Sequence, residues 1–164
     1  MKTLHLLRHA KSDWDKPGLS DDERPLNARG KRDSKRLAEH LRKHPIKVDL
    51  VLCSPARRAK QTLKPIQPVL GAKVNEEPEL YGAGSEELLK LVRRTPRKLD
   101  AILLIGHNPG FEELTRALVP PEQAPEGLPT CTIATITFDV ADWKAAGPRK
   151  GNLAGLLTPG DFDA

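Results

Sequence analysis

The sequence predicts a single α/β domain of three layers, α/β/α, with a mainly parallel central sheet. Three observations carry that expectation. Short apolar runs alternate with longer segments of helical spacing, the order that builds a parallel sheet covered by helices. The runs are apolar without alternation, as strands buried on both faces are. The length of 164 residues suits one core, and no internal repeat divides it, so residues 1–164 are read as one domain.

Thr3-Leu4-His5-Leu6-Leu7 is the first buried strand. Lys11 to Pro25 is polar and carries Pro17, Gly18 and a run of acids, so it reads as a loop. Asn27 caps a helix reaching about His44, with Gly30, Ser34, Leu37, Ala38 and Leu41 on one face. Asp49 to Cys53 is a second strand, and Pro55 suits the first turn of the helix after it. That helix is expected to bend or end near Pro65 and Pro68. Lys73 to Asn75 is a short third strand. Ser85 caps a helix to about Arg94 that turns Leu88, Leu89 and Val92 inward. Ala101 to Ile105 is the clearest strand, and Gly106 to Gly110 opens a helix through Val119. After a proline-rich loop, Thr130 to Val140 reads as a half-exposed strand and Leu153 to Leu157 as an edge strand.

Composition narrows the function classes. No apolar run approaches the roughly 20 residues that span a bilayer. Met1 to Leu7 is too short for a signal peptide and lacks a small-residue cleavage site. Cys53 and Cys131 have no metal-ligand spacing and read as buried thiols of a reducing compartment, which makes the cytoplasm the expected location. Residues 1–70 hold 17 Lys/Arg against 8 Asp/Glu, whereas residues 71–164 hold 10 against 14. A positive half suits an anionic ligand. Aromatic residues make up only 4% of the chain, too few for a base-stacking surface, so nucleic acid is not expected. Much of the excess, in Arg29, Lys31, Arg32, Lys35 and Arg36, reads as the solvated face of one helix.

Ligands of such sheets gather where strands end and helices begin. That edge receives Arg8-His9, Ser54 to Arg58 and Gly106-His107. A neutral imidazole held at a strand end is a competent nucleophile. Arginine binds phosphate oxygens through a planar fork and stays charged, and transferring a phosphoryl group is mostly electrostatic work. His9 as acceptor, with Arg8, Arg58 and His107 around the phosphoryl group, is therefore a coherent set. Taken singly, each of these residues reads as structural or as a surface charge. No carboxylate or thiolate stands at ligand spacing beside His9 and His107, so no metal is expected. His5 reads as structural.

These residues lie in motifs that resemble the histidine phosphatase superfamily. Leu6-Leu7-Arg8-His9-Ala10-Lys11-Ser12 is similar to its opening motif, with Ala10 where glycine is usual. Ser54 to Thr62 is similar to the second motif and matches its arginine to Arg58, not Arg57. Gly106-His107-Asn108 is similar to the third, and Arg24 to Gly30 to the start of the helix that follows the first loop. The resemblance implies a phosphohistidine intermediate on His9, a phosphate pocket of Arg8, Arg58 and His107 with Ser12 as a weaker donor, and neither metal nor organic cofactor. Asp15 stands where the mutase branch has asparagine. The chain most resembles the short bacterial phosphohistidine phosphatases of the SixA type, because only 49 positions separate Arg58 from His107 and leave no room for a roof over the pocket.

Glu79 is the nearest match to the acid of larger members; the other reading makes it a solvated loop residue. The expected function is a metal-independent phosphatase acting on phosphohistidine in a partner protein, such as a phosphohistidine carrier domain. A phosphatase or mutase for small phosphoesters and a non-catalytic phosphoprotein-binding module are the alternatives.

Overall fold

The computed structural model describes residues 1–162. The elements follow in the order β1 (Lys2–Arg8), α1 (Ala28–Lys43), β2 (Leu50–Cys53), α2 (Arg57–Leu70), β3 (Lys73–Glu76), α3 (Ser85–Arg93), β4 (Ala101–Gly106), α4 (Gly110–Leu118), β5 (Ile133–Phe138) and β6 (Gly151–Leu157). They form one sheet of order β3-β2-β4-β1-β5-β6. β3, β2, β4 and β1 are parallel neighbours, while β5 runs antiparallel to both β1 and β6. The sheet separates two apolar layers. Leu4, Leu6, Ile102 and Leu104 face Phe111 and Leu114 of α4, and Leu7, Val51, Leu103 and Ile105 face Leu37 of α1 and Ile66 of α2. Each such leucine or isoleucine, fully buried, contributes about 1.5–3 kcal/mol.

β4 lies between β2 and β1. The carboxyl ends of these three strands are therefore adjacent, and main-chain bonds carry the pairing just beyond them: the His9 amide donates to the Gly106 carbonyl and the Ser54 amide to the Ile105 carbonyl, each at 3.0 Å.

Local choices account for most boundaries. The Asn27 side chain accepts the Gly30 amide at 2.8 Å and opens α1. Gly30 has no alternative residue there, because a Cβ on it would stand 2.1 Å from the Lys11 carbonyl oxygen. Gly84, not Ser85, caps α3. Pro55 precedes α2 by two residues instead of lying in its first turn, and Arg58 is the second helical residue.

The largest departure from expectation is that α2 runs through Pro65 and Pro68 and ends only at Gly71, whose φ of 63° is left-handed. Each proline costs the helix about 3 kcal/mol. The face formed by Ala59, Thr62, Leu63 and Ile66 is buried, and that burial offsets a cost of this size. The expected strand from Thr130 shortens to β5, which is more buried than anticipated: only Thr135 and Thr137 are half-exposed. Thr135 lies beside His5, whose Nδ1 is 2.8 Å from its hydroxyl.

Candidate active site

Arg8 ends β1, His9 follows it, Ser54 follows β2, Arg58 lies in the first turn of α2 and His107 follows β4, so all of them reach one sheet edge. Arg8, His9, Arg58 and His107 line a cavity of about 300 Å³. His9 is only 7% exposed. Its Nδ1 lies 2.7 Å from the Ala10 carbonyl oxygen. A carbonyl only accepts, so Nδ1 carries the proton and the lone pair sits on Nε2. That Nε2 faces the Arg58 Nε–H at 3.3 Å, and the two imidazole centroids are 5.2 Å apart. The Ala10 amide donates to the Thr62 hydroxyl at 2.9 Å, and that hydroxyl donates to the Arg58 carbonyl at 2.8 Å. Thr62 thus ties the His9 loop to the helix bearing Arg58.

Arg58 Nη2 lies 3.4 Å from Nδ1 of His107, and Nε2 of His107 lies 2.7 Å from the Ser54 hydroxyl. A guanidinium only donates, so in this arrangement His107 carries its proton on Nε2. Because the Ser54 hydroxyl both donates and accepts, it equally supports the tautomer with the proton on Nδ1. Cys131, at a left-handed φ of 54°, aims its amide at the carbonyls of Arg8 and His9, 3.0 and 3.1 Å away. Arg8 Nη1 donates to the Leu128 carbonyl at 3.0 Å, while its buried Nε has no protein acceptor among the described residues.

Burial among cations keeps both histidines neutral. Desolvation pushes His9 from 6.5 down to about 3; the Ala10 hydrogen bond opposes this, and His107, Arg58 and Arg8 add to it. Desolvation, then Arg58, lowers His107 to about 4. Burial also lowers Arg8 from its ordinary value.

Of the residues expected at the site, Arg8, His9, Arg58, His107 and Ser12 line the cavity. Ser12 is buried and accepts a 3.0 Å bond from Arg24 Nη1. Glu79 lies elsewhere, on a short 3-10 turn (Pro78–Leu80), where Arg94 Nη2 bonds it at 2.6 Å. The carboxylate that lines the cavity is Asp21. Arg58 Nη2 donates to its Oδ2 at 3.0 Å, Arg24 Nε to its Oδ1 at 3.1 Å and the Tyr81 hydroxyl to its Oδ2 at 2.6 Å. The bond from Tyr81, with those from Arg58 and Arg24 against a smaller desolvation cost, lowers Asp21 to about 2.

Asp21, Arg24 and Tyr81 were not singled out from the sequence as site residues. One local signal was present: Ser20 and Glu23 form a capping box around the turn Asp21–Glu23, which marks an ordered turn inside the polar loop. Trp14, 72% exposed, stands at the cavity rim with the Arg24 guanidinium 3.3 Å from its ring centroid. Among the described residues no three His, Cys, Asp or Glu side chains group to hold a metal ion, and no helix is long and apolar enough to cross a membrane.

Comparison with known proteins agrees with this geometry. The profile of the histidine phosphatase superfamily (branch 1) matches residues 4–88. An uncharacterised chloroplastic protein of Arabidopsis thaliana is 33% identical over 174 residues, covering 96% of this chain and 78% of that one. The phosphohistidine phosphatase SixA of Escherichia coli is 32% identical over 140 residues, covering 83% of this chain and 85% of that one. Among solved structures, the protein histidine phosphatase SixA complexed with tungstate superposes with a TM-score of 0.76 at 27% identity, covering 98% of this chain and 99% of the other. Motifs, fold and relatives agree that the chain belongs to branch 1 of the histidine phosphatase superfamily, as a phosphatase of the SixA type.

Proposed function

We propose that this phosphatase removes the phosphoryl group from phosphohistidine in a partner protein, through an intermediate on His9 and without a metal or organic cofactor. The observation that carries the reading is the fixed Nδ1–H of His9 on the Ala10 carbonyl. It leaves Nε2 as the attacking atom. In the first step the Nε2–P bond forms and the substrate's N–P bond breaks; the substrate imidazole, protonated on its other nitrogen, leaves neutral. Phosphorylated His9 then still carries its Nδ1 proton, so it too leaves as a neutral imidazole when water attacks phosphorus, and inorganic phosphate departs. Neither step requires a carboxylic acid.

Arg8 and Arg58 hold the phosphoryl oxygens, and the orphaned Arg8 Nε–H is satisfied by one of them. His107 donates to another once its proton moves to Nδ1 with Ser54 donating to Nε2, and Ser12 stands by as a weaker donor. The pocket suits a protein substrate because α3, in the interval between Arg58 and His107, packs against α4 instead of covering the site. We place the reaction in the cytoplasm, where the buried thiols of Cys53 and Cys131 stay reduced.

A second reading, hydrolysis of small phosphoesters, rests on Asp21. A dianionic phosphoryl group arriving on Arg58 raises the neighbouring carboxyl, and a protonated Asp21 then serves as acid to the leaving oxygen. We do not assign that role to Glu79, which is tied to Arg94. Phosphate release from a phosphohistidine peptide and from an alkyl phosphate, each with His9→Ala as control, separates the two. Release from the peptide alone, lost in the variant, supports the first reading. Release from the ester alone overturns it.

A further inference from the structure

A second depression lies outside the site, a groove of about 500 Å³ between α1 and α2. Leu26 and Pro65 give it apolar lining, and Lys31, Lys35 and Lys64 give it charge. The three lysines are exposed, and among the described residues none forms an ion pair. Several other cations of the same helices are paired within the protein: Arg29 and Arg36 with Asp33, Lys60 with Glu76. Three cations without an internal partner among the described residues therefore share the groove.

The groove also abuts the catalytic pocket. Leu26 pairs with Ser12 in an isolated antiparallel bridge, and Ser12 lines the pocket. Gln61 of the groove accepts the Leu26 amide at 2.7 Å. Both helices start at the site's edge and lead away from it. Lys31 and Lys35 are one turn apart, about 6 Å, and Lys64 lies about 9 Å along α2 from Arg58.

We infer that this groove docks an acidic segment flanking the phosphorylated residue of a partner protein. The inference rests on the protein-substrate reading above. Ammonium groups spread over two helix turns do not converge on one small anion as a guanidinium fork does. They match a row of carboxylates, with an apolar side chain of the segment against Pro65. In an extended segment rising about 3.3 Å per residue, the matching carboxylates fall about three to six residues from the phosphohistidine.

The test uses the full chain and three substrates: a synthetic phosphohistidine peptide with glutamates three to six residues away, its twin with glutamines there, and free phosphohistidine. At low salt the wild type is expected to favour the glutamate peptide about tenfold in kcat/KM, through KM, since three exposed ion pairs are each worth a small factor. Reversal of all three lysines (K31E/K35E/K64E) abolishes the preference, high salt weakens it, and turnover of free phosphohistidine is unchanged. Equal KM for the two peptides in the wild type, or a preference that survives the reversal, overturns the docking inference and leaves the catalytic reading standing. Displacement of the glutamate peptide by single-stranded oligonucleotide at equal concentration overturns the choice of a protein partner. Turnover of neither peptide nor free phosphohistidine, with esters hydrolysed, overturns both.

Discussion

Replacing Asp21 with asparagine separates the electrostatic cost of a carboxylate in the pocket from any part it plays as an acid. Asparagine keeps the shape, the Tyr81 contact and the Asp21 main-chain carbonyl that accepts Arg58 Nη1 at 2.6 Å; only the charge is lost. Asp21 Oδ2 lies 3.0 Å from Arg58 Nη2, so a phosphoryl oxygen held by the same guanidinium stands about 5 Å away from it. At an effective dielectric constant of about 20, the repulsion is about 3 kcal/mol per charge. The Asp21 side chain is 51% exposed, and solvent screening reduces the figure to about 1 kcal/mol. Inhibition by orthovanadate or phosphate should therefore tighten about fivefold in Asp21→Asn. Turnover of a phosphohistidine peptide at pH 7 should stay within about threefold of wild type, because its leaving imidazole is already protonated. Turnover of an alkyl phosphate should fall by about 10²-fold or more, as loss of general acid catalysis does. If phosphohistidine turnover fell as far as ester turnover, the argument that the substrate supplies its own proton would be refuted.

Two further perturbations probe the supports of the site. Thr62→Val keeps the side-chain volume but strands the buried Ala10 amide; it should cost about 1–3 kcal/mol in a urea melt and lower kcat more than it raises KM, because His9 and Arg58 lose their common anchor. Acid should destabilise the fold before it protonates the nucleophile. His5, His9 and His107 are lowered to about 4, 3 and 4, so below 6.5 the unfolded chain takes up protons that the native chain refuses. Stability is full above that value and falls as the pH drops toward 4, by about 2 kcal/mol per buried histidine at pH 5. Urea midpoints that do not move between pH 7 and pH 5 would contradict this.

The parts of the molecule legible from sequence are those set by local chemistry. β1, β2 and β4 are apolar runs ending at Arg8, Cys53 and Gly106, and the polar residues just after them meet because parallel strands share one edge. Asn27 announces α1 through its cap. What stayed hidden depends on distant partners. Asp21 reaches the site through Arg58 and Tyr81, which are 37 and 60 residues away, and no periodicity signals such a contact. Among several acids after the second motif, Glu79 matched by position alone, and the structure pairs it with Arg94, just past the end of α3. The prolines of α2 outweighed the helical pattern in the sequence, but in the fold the buried Leu63 and Ile66 prevail. Cys131 looked like part of a strand, and its left-handed turn under Arg8 and His9 is a tertiary choice.

The central claim is that phosphorus passes through Nε2 of His9. Rapid quenching in alkali during turnover of a phosphohistidine peptide, followed by mass spectrometry of the digested chain, tests it most directly. The account predicts a phosphoryl group on the peptide containing His9, bonded to Nε2 and not Nδ1, that appears and decays within the turnover time and is absent from His9→Ala. Full turnover with no phosphoryl group on His9, or one accumulating on His107 instead, would contradict it.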